Sequence, residues 1–444
     1  MKQLILVKNI LTINQDNEIL SNHAVEIEDG LIVDILPVGS IDRDNYDGDF
    51  LDFSNLTLIP GFVQTHVHLC QSLFRGLAED MELLDWLREK IFPFENEHDK
   101  NSLRISSQIG IHEILKGGTT TILDMGTLNY QEIIFEELKK SEIRAVAGKC
   151  MLDFNDLYPK FVESTDHSLK YSYDLAKEYH NSNNGKLKYG FAPRFVLSCS
   201  EKLLTETKEM MQDFEGSIYH THSSENKSEL EAVKKIHNMR NIEYFDSINV
   251  LNDHTVLAHG IHVDDDEITI LKNTHARISH CPSSNLKLGS GIADIPRYIR
   301  EGIQVSLGAD GAPCNNSLSQ FIEMRLASLI QKPVYGPTEM DAQTILRMAT
   351  IDGARALHLE NEIGSIEIGK KADLVFLNLE KSNLPLTDEN IYSSIIYSAG
   401  NENVSEVMID GSFVISKGKS NIYDEQQLYS DGNRELNKLI ARVY

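Results

Sequence analysis

The 444-residue sequence predicts an α/β fold: a closed (β/α)8 barrel beside a small β-sandwich built from both chain ends. Three observations predict it. Eight apolar, β-branched runs alternate with helix-periodic segments through the middle of the chain. Both ends are rich in short strands and carry an Asp-Gly turn at matching places. Metal-ligating residue types stand at the ends of several central runs, and in a barrel these ends converge on one face.

The first 60 residues read as short strands, LILVKNILTI (4–13), AVEIEDGLIVDIL (24–36) and TLIPG (57–61), with Asp29-Gly30 as a hairpin turn. Residues 365–444 open the same way, with ADLVFLNL (372–379) and SEVMIDGSFVIS (405–416) turning at Asp410-Gly411. Chain termini often lie close together, so residues 1–60 and 365–444 are expected to form one composite β-sandwich domain.

Between them, residues 61–364 are expected to form the barrel. The eight runs are GFVQTHVH (61–68), TTTILDM (119–125), RAVAGKCM (144–151), LKYGFAPR (187–194), GSIYHTH (216–222), TVLAHG (255–260), HARISHCP (275–282) and QVSLGAD (304–310). LLDWLREKIF (83–92), SSQIGIHEILK (106–116), SELEAVKKI (228–236) and SQFIEMRLASLI (319–330) supply helical periodicity. Strands alternating with helices imply a parallel sheet, and eight is the number that closes a TIM-type barrel.

Composition excludes several classes. Lys+Arg total 42 against 67 Asp+Glu, a net charge of −25. Such a surface repels phosphate backbones and anionic membranes, so neither nucleic acid nor a membrane is an expected partner. No run of ~18 apolar residues occurs, and the N-terminal segment lacks a signal-peptide pattern. The five cysteines are scattered and never spaced C-x-x-C. That points to reduced thiols in a cytoplasm, without a Cys-based zinc site.

The chemistry sits at the C-terminal ends of the runs. The first ends in His66-Val67-His68, the fifth in His222, the sixth in His259 and the eighth in Asp310. A period of two places His66 and His68 on one side of their strand. Histidines and a carboxylate around an open water position describe a catalytic site for one divalent ion, zinc first and iron as the other option. His222 is preferred over His220 because Glu225 follows it three residues later. Glu225 is the expected proton shuttle. His280 precedes Cys281-Pro282, a turn signal, and is given no ligand role. The fourth run ends in Arg194, with no bridging Lys or carboxylate, so a single metal is expected. Trp86, the only tryptophan, is expected to pack within its amphipathic helix.

Together, PGFVQTHVH, GGTTT, HTHSSEN, LAHG, SHCPSSNLKLGSG, SLGADGAPCNN and IGSIEIGKKADLV resemble the amidohydrolase superfamily, nearest its aminohydrolase and chlorohydrolase branch. The resemblance spans essentially the whole chain. It implies that His66, His68, His222 and Asp310 are the metal ligands. It also implies that Glu225 is the general acid/base, that His259 bonds the attacking water or leaving group, and that Asp310 helps hold that water. The implied activity is hydrolytic deamination of a purine-type heterocycle with release of ammonia, an aminohydrolase of purine metabolism. A triazine chlorohydrolase or aminohydrolase, or a pterin deaminase, is the alternative.

Two substrate classes share the pocket signals. Gln71, Arg194 and Phe195 are similar to the guanine deaminases, in which such residues hold and cover an oxopurine. Glu95 and the Asp310–Asn316 segment are similar to the adenosine-type deaminases, in which the glutamate binds ribose hydroxyls. Members of that second group usually carry His where Arg194 stands. The resemblance also implies a homo-oligomer.

Overall fold

The computed structural model describes residues 2–382 and 385–444. Its strands, in chain order, are β1 (Lys2–Leu11), β2 (Ile19–Glu28), β3 (Leu31–Pro37), β4 (Asp49–Pro60), β5 (Phe62–His68), β6 (Thr119–Asp124), β7 (Arg144–Ala147), β8 (Cys150–Met151), β9 (Leu187–Pro193), β10 (Ile218–Ser223), β11 (Thr255–His259), β12 (Arg277–His280), β13 (Val305–Leu307), β14 (Asp310–Gly311), β15 (Leu374–Leu377), β16 (Val404–Ile409), β17 (Ser412–Ser416) and β18 (Lys419–Ser420). Each of the eight central runs contains a strand.

Strands β5 to β14 form a parallel sheet that curls into the barrel, in the order β13-β12-β11-β10-β9-β7-β6-β5-β14. The eighth run closes it by dividing its pairing. Its first half pairs with β12 (Ile278 with Val305), and its second half pairs with β5 (Asp310 with Val67). Every residue of β5 and β6 is buried, as expected for strands covered on both faces. The lower interior is apolar: Val63, Leu123, Val146, Ile218 and Val256 pack on Ala354 and Leu357. The polar strand ends therefore stand at the opposite, C-terminal mouth.

The chain ends meet in an eight-stranded sheet ordered β18-β17-β16-β15-β4-β1-β2-β3. β4 joins the halves, running parallel to β1 and antiparallel to β15. The sheet has its own core, with Ile5, Val25, Leu58, Phe376 and Met408 among its members. The two hairpin turns read from the sequence lie against each other. Gly30 (φ +82°) and Gly411 (φ +75°) are both left-handed, and a Cβ on Gly30 would come within 2.8 Å of the Asp410 carbonyl oxygen. Glycine is needed there for both conformation and space.

A helix that the sequence reading does not anticipate, Glu425–Val443, follows the last strand. Asp424 caps it, accepting from Gln427 N at 2.9 Å. Leu439 joins an apolar cluster with Trp86, Phe92, Phe94, Phe161 and Phe195. Arg442 bonds the Glu97 carbonyl at 2.8 Å and Asp99 Oδ2 at 3.0 Å. It thus braces residues 83–96, the helical segment beside the barrel mouth. That segment carries a π-turn over Leu87–Ile91, just before Pro93. π-turns recur at functional sites.

Candidate active site

Four side chains converge at the mouth. Ligand atoms of His66, His68, His222 and Asp310 all lie within 4.8 Å of one another; His66, His68 and Asp310 are buried and His222 is partly buried. His66 Nε2 and His68 Nε2 stand 3.2 and 3.4 Å from Asp310 Oδ1. His68 Nε2 and His222 Nε2 are 3.3 Å apart. The rings of His68, His222 and His259 stack nearly parallel, with His66 edge-on to all three.

The far sides of the rings are held. His222 Nδ1 donates to the Arg194 carbonyl at 2.7 Å. A carbonyl only accepts, so Nδ1 carries the hydrogen and Nε2 presents a lone pair to the cluster. His66 Nδ1 meets His220 Nε2 at 2.8 Å. His220 is thus a supporting neighbour on the inner side of β10. Ser284 Oγ donates to Asp310 Oδ2 at 2.7 Å. Such outer partners fix ring orientation and ligand basicity.

Electrostatics follow the geometry. Burial pushes His66 below the usual histidine range, and pushes His68 and His222 well below it. Burial thus works against a proton on each of the three rings, and an imidazole must be unprotonated at the nitrogen that binds a metal. Burial alone would raise Asp310, but the surrounding histidines, His66 first, hold it well below the carboxylate range. His66 Nε2 is buried without a hydrogen-bond partner. Crowded lone pairs beside an ionised carboxylate are costly without a cation. The three nitrogens and one oxygen fit a divalent metal ion.

Two more groups face the cluster. His259 Nδ1 meets Asn285 Oδ1 at 2.9 Å. Its Nε2 is 3.5 Å from Glu225 Oε2 and 3.9 Å from Asp310 Oδ2. Burial, with Asp310 close by, drives the Glu225 carboxyl well above its ordinary range. Glu225 reaches the site through a kink at Ser224 (φ 54°), whose carbonyl accepts from Ile261 and His262 N. His259 (φ 74°) and Asp310 (φ 61°) are also left-handed. Strained backbone of this kind clusters at functional sites.

The cavity over these groups is walled by Leu83, Trp86, Leu87 and Phe195, with Gln71 and Arg194 on its polar side. Trp86 thus does more than pack. Glu95 does not face the cavity. It is buried behind it, accepting from Gln71 Nε2 (2.7 Å) and from Arg194 Nη1 (2.7 Å) and Nη2 (3.3 Å). Burial opposes the Arg194 charge, but Glu95 outweighs it and raises the guanidinium pKa.

Of the residues read from the sequence, His66, His68, Gln71, Arg194, Phe195, His222, Glu225, His259 and Asp310 come together here, with Glu95 one layer back. His280 is buried near the barrel interior, with neither ring nitrogen hydrogen-bonded. Sequence reasoning missed His220, Ser284 and Asn285 as supports. Their signal was positional: each sits in a motif that closes a predicted strand.

A closed parallel barrel with a His/Asp cluster and an acid at its C-terminal mouth defines a class, the metal-dependent barrel hydrolases. Residues 57–414 match the Amidohydrolase family, and the chain belongs to it. It is 37% identical over 436 residues to a 5-methylthioadenosine/S-adenosylhomocysteine deaminase of Thermodesulfovibrio yellowstonii, covering 96% of both chains. It is 36% identical over 437 residues to a 5'-deoxyadenosine deaminase of Methanobrevibacter smithii, covering 96% of this chain and 98% of the relative. Among solved structures it is similar to an adenosine deaminase from Xanthomonas campestris with bound zinc. There the TM-score is 0.91 and the identity 28%, covering 99% of this chain and 98% of the other. No helix among the described residues is long and apolar enough to cross a membrane.

Proposed function

We propose that this chain is an aminohydrolase that replaces an amino group on a purine-type heterocycle with oxygen and releases ammonia. The observation that carries the reading is the convergence of His66, His68, His222 and Asp310 on a cavity that also presents Glu225 and His259. His66, His68, His222 and Asp310 would hold one divalent ion, zinc first and iron as the other option. Bound there, such an ion would lower the pKa of water to about 7 and polarise the reacting centre.

The side chains account for the rest. Glu225 takes a proton from the attacking water and passes it to the ring nitrogen beside the attacked carbon. Burial raises its pKa, which suits a carboxyl that must hold a proton before passing it on. The hydroxyl now on the attacked carbon gives up its proton, Glu225 carries it to the amino group, and that group leaves as ammonia while the ring carbon keeps the oxygen as a carbonyl. His259 Nε2, between Glu225 and Asp310, is placed to bond the attacking oxygen. Trp86 and Phe195 cover a planar ring and exclude bulk water.

The relatives' names favour an adenosine-type nucleoside carrying a modified 5' position. A second reading, a guanine-type oxopurine, rests on Arg194 and Gln71 at the cavity wall. The test is a panel on purified, metal-loaded protein: 5'-deoxyadenosine, methylthioadenosine, S-adenosylhomocysteine, guanine, 8-oxoguanine and a chlorotriazine. Ammonia from a nucleoside supports the first reading, and ammonia from guanine or 8-oxoguanine the second. Chloride release with no ammonia from any purine overturns both. Light scattering on the same sample tests the expected homo-oligomer.

A further inference from the structure

The groups that line the cavity are shut away from water. His68, Trp86, Glu225 and Asp310 are each at most 5% exposed, and His222 alone among the lining residues is not buried. A ring the size of a purine reaches them only if part of the wall moves. The part built to move is residues 75–90, a strap between two fixed ends. At its start Arg75 is paired with Glu113 of the helix Lys100–Lys116, with Nη1 donating to Oε1 at 3.2 Å. At its finish Lys90 donates to the Tyr444 hydroxyl at 2.9 Å, where the C-terminal helix ends. Residues 75–82 are neither helix nor strand. Within them Gly76 (φ +76°) is exposed, and no atom lies within 4 Å of where its Cβ would stand. A left-handed glycine in open space is a hinge that its neighbours do not block.

The strap is apolar beneath and acidic at its free edge. Leu83, Trp86 and Leu87 are buried and wall the cavity. Glu79 Oε2 stands 2.8 Å from Lys287 Nζ, and Glu79 Oε1 accepts from Asn316 Nδ2 at 3.0 Å. Lys287 ends the helix that follows β12, and Asn316 caps the short helix after β14. Glu82 accepts from Ser228 Oγ, in the first turn of the helix Lys227–His237 and three residues past Glu225. The two carboxylates thus tie the strap to the loops after β10, β12 and β14, so that it spans the mouth. Both are exposed to water. An exposed pair shifts a two-state balance by about fivefold at most, enough to favour a closed strap and too little to lock it.

We propose that residues 75–90 are a gate over the cavity, hinged at Gly76 and latched shut by Glu79 on Lys287 and by Glu82 on Ser228. Glu79 and Glu82 are positioning residues. Neither lines the cavity; they hold Leu83, Trp86 and Leu87 over it. The inference goes beyond the deaminase reading and does not need it, because it concerns how the cavity opens and not what reacts there.

Trp86 is the only tryptophan, so its fluorescence reports opening in the unaltered sequence. Acrylamide quenching is measured on metal-loaded protein without substrate, for wild type, Glu79→Gln, Ser228→Ala and the two changes combined. The quenching constant should rise about two- to fivefold in each single variant and further in the combination. In wild type, about 1 M NaCl should raise it as well, because the screening length then falls to about 3 Å. The same salt should do little to the combined variant, whose latches are already gone. The salt arm needs no substitution and stands even if a variant folds poorly. Tm and metal content are read on every sample. Quenching that stays flat in the combined variant and in salt-treated wild type overturns the gate. Quenching that rises only together with a lowered Tm or lost metal gives the two acids a merely structural role and overturns it too. A panel in which no purine yields ammonia would sink the deaminase reading and leave these arms as they are.

Discussion

At the scale of single residues, each chemical group owes its state to the neighbour on its far side. His222 presents Nε2 because the Arg194 carbonyl holds Nδ1–H, and the Asp310 carboxyl is held low by the histidines beside it, His66 first, against the effect of burial. Glu225 is the exception. Burial raises its pKa. Binding and proton transfer are therefore separable by substitution. Glu225→Gln keeps the shape and removes the proton carrier. Turnover should fall by about 10²–10⁴-fold, with the metal content by elemental analysis unchanged. His66→Ala combined with His68→Ala should show the opposite signature, with bound metal lost. Near wild-type turnover in Glu225→Gln would remove that residue from the mechanism. The cluster members were legible because each stands at a strand end, where the eye expects them. The pairing of Glu95 was not legible, since the sequence does not show that Arg194, 99 residues away, donates to both its oxygens.

At the scale of elements, the eight central strands were legible because parallel strands buried on both faces read as continuous apolar runs. Two features were hidden. The eighth strand divides its pairing between β12 and β5, a consequence of ring closure that no local pattern encodes. The Glu425–Val443 helix buries only a narrow stripe, Leu428, Gly432, Glu435 and Leu439, in an otherwise polar sequence. A buried carboxylate links one strand to the site. Asp124, at the end of β6, accepts from Leu69 N at 2.9 Å and so fixes the start of the turn Leu69–Phe74 that carries Gln71. Burial raises its pKa from 3.8 to about 7. A carboxyl whose folded pKa is raised contributes stability that is fully present below its unfolded pKa. That stability is lost as pH rises through the folded value. Asp124→Asn keeps an acceptor for Leu69 and cannot ionise. Its Tm relative to wild type should therefore climb between about pH 4 and pH 7 and level off above, by roughly 1.4 kcal/mol per unit of pKa shift. A pH-independent difference would show that Asp124 does not titrate in this range.

At the scale of the whole molecule, the question is what fastens the end sheet to the barrel so that the mouth keeps its shape. The turns Asp29-Gly30 and Asp410-Gly411 were both visible in the sequence, but their contact with each other was not. Nor was the residue that ties them to the barrel. Arg144, first in β7 and almost fully buried, donates from Nε to Asp373 Oδ2 at 2.8 Å. From Nη2 it reaches Asp373 Oδ1 at 3.2 Å and Asp410 Oδ1 at 2.7 Å. Asp373 Oδ1 also accepts from Asp410 N, and the Asp373 carbonyl accepts from Gly61 N just ahead of β5. One guanidinium thus bridges β7 to the entry of β15 and to the β16–β17 turn. A buried pair of this kind adds little over a well-packed apolar substitute, yet removing one partner strands the other charge. Arg144→Met leaves Asp373 buried without its cation. The expected loss is about 3–5 kcal/mol in urea unfolding. Adding Asp373→Asn and Asp410→Asn to Arg144→Met should recover much of that loss, because the stranded charges are then gone. A loss below about 1 kcal/mol for Arg144→Met would mean the apolar contacts between sheet and barrel hold the two together without the bridge. A triple variant no more stable than Arg144→Met would mean the damage lies in packing around the lost side chain, not in unpaired carboxylates.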